Sequence, residues 1–149
     1  MSRATPKMRD FAKRLIVYEA RENESSKTKI PAACQVCGKL RPHLATLMGN
    51  VGFRSILSRS LALANSEVAW LRAVHVKSDG VLEGWGELEA QVDPKEMIEG
   101  ELVLVAQLLG LLVAFIGEKL TRQLVREVWP KVPLNDLDFD EGDKNEKAK

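Results

Sequence analysis

The side chains able to do chemistry in this chain are few, and their spacing limits what they can do. Cys34 and Cys37 form a C-x-x-C pair, and the histidines are His43 and His75. Such a pair is half of a structural zinc site, which needs four ligands, usually two pairs or a pair with two spaced histidines. His43 and His75 stand six and thirty-eight residues beyond Cys37, which fits no zinc-finger spacing. A thioredoxin-like redox pair needs a preceding strand and a βαβ setting, and the sequence offers neither. Two small apolar residues on a helix account better for the cysteines, because free cysteine is so often simply buried. Cys34, Cys37 and His43 are kept only as candidates for a redox or metal role, and no cofactor is expected.

Either histidine could serve as a general base. No serine or cysteine nucleophile accompanies them, since Ser55, Ser58 and Ser60 lie in no G-x-S-x-G elbow. Gly49-Asn50-Val51-Gly52 lacks the lysine and the spacing of a phosphate loop. Glu83, Glu87, Glu89, Asp93, Glu96, Glu99 and Glu101 read as a solvated acidic face rather than a catalytic pair. No catalytic residue is assigned. Catalysis would require His43 or His75 to meet a carboxylate or the two thiols in one cleft.

These residues belong to a chain of 149, close to the usual size of one domain and long enough to bury a core without disulfides or metal. Apolar residues make up 45% and charged residues 29%, a soluble globular balance. Lysine and arginine number 22 against 21 acidic residues, so there is no overall basic surplus for nucleic-acid binding. The first twenty residues are charged throughout and show no secretory signal. With two cysteines only, the expected compartment is the reducing cytoplasm.

The elements that must position these residues are helical. From Pro6 to Arg21, Met8, Phe11, Ala12, Leu15, Ile16 and Ala20 recur at three- and four-residue steps, the mark of one buried stripe. Thr5 and Pro6 supply a cap and a first-turn proline, and Glu22 to Lys29 reads as a loop. A second helix starts at Pro31 and carries Val36, Cys37, Leu40, Leu44, Leu47 and Met48, with a kink or division expected at Pro42. Gly49 to Gly52 breaks the pattern, and a third helix runs from Phe53 to Ala64. Ser66 is a candidate cap for a short helix through Trp70 and Leu71. Residues 73–82 read either as a small β-hairpin around Lys77-Ser78-Asp79-Gly80 or as a helix running into a loop.

Asp93-Pro94 opens the last helix, expected to reach Trp129 with Gly100 dividing a lead-in from a main helix of about 42 Å. Within it, Leu102 to Ile116 is interrupted only by Gln107 and Gly110. The run is short for a membrane span, which takes about twenty residues, and no stable membrane insertion is expected. It suits a central helix enclosed by the others, or one that packs inside its domain on one side and on another subunit on the other. Gly110 and Gly117, seven apart, would share a face where a backbone could approach, with Leu120 and Leu124 continuing the stripe. These four are the candidate helix-packing or self-association residues.

The expected architecture is all-α, a bundle of four to six helices around a long apolar helix in residues 1–133, followed by a charged, disordered tail, 134–149. Basic residues Lys39, Arg41, Arg54, Arg59 and Arg72 stand apart from acidic material at 83–101 and 136–143, and segregated charge favours oriented protein association. Trp70, Trp85 and Trp129 are half-buried packing residues or, if exposed, anchors. The expected function is a non-enzymatic protein–protein interaction or self-association module. The alternatives are a small-molecule sensor with a pocket between helices, lined by residues 102–116 and a histidine, and a membrane-active helical protein.

Overall fold

In a computed structural model, described here over residues 6–24, 31–78 and 80–132, the apolar run becomes the axis of the protein. Helix α4, Pro94–Ile116, is buried without interruption from Val103 to Leu112. A helix this apolar on every side has no stable position at a surface, and its own chain covers it. Two helices do most of the covering, α1 (Pro6–Glu24) and α2 (Ala32–Asn65). The predicted stripe of α1 is buried at Met8, Phe11, Ala12, Leu15 and Ile16 but not at Ala20, which is exposed, Glu19 being buried beside it instead.

Helix α2 is 34 residues long, which unbroken would span about 51 Å. Its two ends nevertheless meet neighbouring parts of α4. The Ala33 amide donates to Glu101, and Glu67, just past the helix end, accepts from Gln107. Residues 101 and 107 are separated by only about 9 Å along a helix, so α2 must fold back on itself. It does so at Gly49, the one residue inside it with non-helical backbone angles (φ 80, ψ 164). The helix continues through Pro42 without such a break, contrary to the expected kink there.

A five-residue 3-10 turn, Ala69–Ala73, leads into strands β1 (His75–Val76) and β2 (Leu82–Glu83), paired antiparallel with His75 opposite Glu83. The hairpin reading of 73–82 therefore holds. Ser66 is not the cap of the short turn. Its hydroxyl donates back to the Leu63 carbonyl and finishes α2. Helix α3, Trp85–Glu89, sets Trp85 edge-on to Trp70 at 6.1 Å between ring centroids. Trp70 in turn lies against Gly100 so closely that a Cβ there would enter its ring. Gly100 thus admits a neighbour and does not divide the helix.

The division falls at Gly117 (φ 93), where α4 stops and α5, Glu118–Val128, begins. The single long helix to Trp129 is corrected to two, because a positive φ cannot continue a right-handed helix. Among the described residues the fold has five α-helices and one small two-stranded sheet, the all-α bundle expected. Residues 134–149 of the expected tail, and Thr5, lie outside the described residues.

Candidate functional site

The cysteine pair sits in the first two turns of α2. Pro31, at the cap position, makes no side-chain cap, and a helix start leaves amide donors without partners. Glu101 supplies the acceptor from α4: its Oε1 lies 3.0 Å from the Ala33 amide nitrogen. A carboxylate there also meets the positive end of the helix dipole. For the thiols the surroundings act in the opposite sense. Burial pushes Cys37 up to about 12, and burial, then Cys37, then Glu101 push Cys34 higher still than an ordinary thiol. Thiols held protonated are poor nucleophiles and poor metal ligands. Among the described residues no three histidine, cysteine or acidic side chains gather to hold a metal ion.

His75 stands exposed on β1. His43 lies in a cleft of about 440 Å³ between α2 and α5, lined by Pro42, His43, Thr46, Leu47 and, from α5, Leu120, Gln123, Leu124 and Glu127. His43 Nδ1 is 3.8 Å from Glu127 Oε1, and both side chains are substantially exposed. Base and acid thus meet in one cleft, but beyond hydrogen-bonding distance. No residue of 102–116 lines this cleft, so the pocket imagined for a small-molecule sensor, with the apolar helix as its wall, is not the one that holds His43.

Of the four packing candidates, Gly110 is enclosed in the core and Gly117 lies at the helix break, so the two present no common open face. Leu124 is buried, and Leu120 is 37% exposed on the cleft. Leu120 has company that the sequence pattern did not reveal. Large apolar side chains left exposed include Leu47 (49%), Val51 (67%) and Phe115 (61%). Leu47 and Val51 flank the bend at Gly49, and Phe115 and Leu120 flank the bend at Gly117. Because Leu47 and Leu120 line the same cleft, both bends lie at one end of the bundle. Four of the seven exposed large apolar residues among the described residues therefore flank the bends at that end. The signal available in the sequence was the pair of glycines, each flanked by apolar residues. What it lacked was the knowledge that the bends meet.

Two carboxylate junctions were also missed, one of them buried. Glu19, 1% exposed, receives Lys39 Nζ at 2.7 Å and the Trp129 indole N–H at 2.6 Å. Lys39 further stands 5.7 Å from the centre of the Tyr18 ring. The knot ties α1, α2 and the end of α5. Glu67, at the surface, holds a second junction, taking two hydrogen bonds from Arg9 at 2.7 and 2.8 Å and a third from the buried Gln107 at 2.9 Å. Both clusters join distant elements and serve the architecture.

Comparison with known proteins found no matching family model, no similar curated protein and no similar solved structure. The geometry alone carries the functional reading.

Proposed function

We propose that this protein is a non-enzymatic interaction module that self-associates through the end of the bundle formed by its two glycine bends. The observation that carries the reading is the concentration of Leu47, Val51, Phe115 and Leu120 at that end. Apolar residues grouped on an otherwise polar surface favour association. A second copy suits this end because it carries His43 and Glu127, a base and an acid, side by side. In a two-fold arrangement the same patch meets itself, which lets His43 of each copy face Glu127 of the other. Cys34 and Cys37, free and held as thiols, fit a reducing compartment.

The test is the solution mass by light scattering across a concentration series, with a Leu47→Glu/Phe115→Glu variant beside the natural chain. A dimer that dissociates in the variant, whose circular dichroism is unchanged, supports the reading. A monomer at every concentration overturns self-association.

A second reading rests on the same cleft. Its apolar wall and the His43–Glu127 pair suit a small ligand with one polar group. A monomeric protein whose cleft resonances, Leu120 and Leu124 among them, respond to a small-molecule library only while His43 is present would favour it.

A further inference from the structure

A different surface carries a separate inference. Along the outer side of α1 runs a cleft of about 420 Å³ lined by Lys13, Arg14, Val17, Tyr18, Arg21, Lys131 and Val132, with Asp10 beside them. Asp10 is partly neutralised by Arg14, 3.4 Å away. Lys13, Arg21 and Lys131 have no carboxylate partner among the described residues. Val17, at the middle of this face, is left 42% exposed. The cleft is thus basic around an apolar floor.

Val132, part of its wall, is also where the described chain ends. The next residues read Pro133-Leu134-Asn135-Asp136-Leu137-Asp138-Phe139-Asp140-Glu141-Gly142-Asp143. Leu134, Leu137 and Phe139 are interleaved with five carboxylates, and no cation occurs before Lys144. This is the composition the cleft lacks: acid for the unpaired cations and apolar groups for Val17 and Tyr18. We propose that the segment Leu134–Asp143 of this same chain docks in the basic cleft on α1.

Direction and reach agree with this. Trp129 is fixed to Glu19 near the far end of α1, so the segment enters beside Arg21 and runs back towards Asp10. From Asp10 to Arg21 is about 17 Å of helix, whereas eleven extended residues reach about 36 Å. A short connection gives a tethered segment a local concentration in the millimolar range, so modest contacts suffice to fill the cleft. Salt weakens the charged part of the contact. The inference is independent of the self-association proposed above, which uses the α2–α5 end.

The test uses the full chain, labelled with nitrogen-15. Amide shifts and heteronuclear Overhauser ratios of residues 134–143 are compared among the natural protein, a Lys13→Glu/Arg21→Glu/Lys131→Glu variant, and that variant carrying Asp136→Lys, Asp138→Lys and Asp140→Lys as well. Docking predicts ordered ratios for 134–140 in the natural chain, a fall to free-chain values in the first variant, and recovery in the second. Free-chain values in the natural protein, unchanged by the first variant, overturn the proposal. Ordered values that appear only as concentration and solution mass rise also overturn it, because the segment would then fill the cleft of a second copy. The substituted cations of α1 are on its outer side, and circular dichroism checks that each variant is folded.

Discussion

Glu19 shows how much a single buried charge can demand of its surroundings. A carboxylate shut off from water is tolerable only with hydrogen-bond donors and a cation beside it, and here Lys39 and Trp129 both donate to its Oε2. Removing only the cation should be worse than removing both charges. Lys39→Met leaves an uncompensated buried acid and should cost about 3 kcal/mol in urea unfolding. Glu19→Leu/Lys39→Met should recover part of that loss, and a double variant no more stable than Lys39→Met would sink this account. Trp129→Phe removes one donor to a charged acceptor and should cost about 2 kcal/mol. The thiols make a prediction in pH. Their folded values lie above the ordinary 9.0, Cys37 at about 12, so the folded state holds protons that the unfolded state has released. Their contribution is whole below pH 9.0 and is lost as pH rises to about 12. Within that window each thiol should contribute up to about 1.4 kcal/mol of lost stability per pH unit. A Cys34→Ala/Cys37→Ala variant should show a correspondingly flatter alkaline limb in denaturant titrations.

At the scale of elements the fold turns on two glycines of positive φ, Gly49 and Gly117. Neither has any atom within 4 Å of where a Cβ would stand, so the cost of an alanine is confined to the backbone. Gly49→Ala and Gly117→Ala should each destabilise by about 1–3 kcal/mol, because positive φ with ψ of about 160° is a region essentially confined to glycine. Gly100→Ala presents the reverse balance. The position is helical, where alanine gains about 1 kcal/mol over glycine, yet the new methyl would enter the Trp70 ring. Trp70 is packed against Trp85, so the net change should be destabilising, with a shift in tryptophan fluorescence. A more stable Gly100→Ala protein would mean that Trp70 can move aside. The sequence marked Pro42, Gly49–Gly52 and Gly100 as points of division; the break at Gly49 is found, whereas Pro42 and Gly100 lie inside helices. A proline or glycine weakens a helix locally, but packing on α4 outweighs that local preference, and only a residue driven to positive φ ends the run.

For the molecule as a whole the question is what happens to α4. It is the one described helix long and apolar enough to cross a membrane, yet 67% of its most apolar eighteen-residue stretch is buried inside the protein. Glu101 and Gln107 within it are hydrogen-bonded to α2 and Glu67, partners that lipid would not replace. The folded protein should therefore remain in the supernatant when sedimented with anionic vesicles at neutral pH, with unchanged tryptophan fluorescence. Co-sedimentation would show that the bundle opens.

Periodicity and composition alone determined that the fold is helical and most of the positions its helices bury, because one apolar face per helix leaves few ways to hide it from water. The hairpin followed from turn residues for the same local reason. The tertiary structure decided where the chain reverses, which carboxylates are buried and which glycines meet. Gly110 and Gly117 share a face in an unbroken helix and lose it once Gly117 takes a positive φ. Leu47 and Leu120 come to line one cleft only when two bends sixty-eight residues apart reach the same end of the bundle. Local sequence encodes local preference. Contacts between residues distant in the chain depend on how whole helices pack, and no window of the sequence contains them.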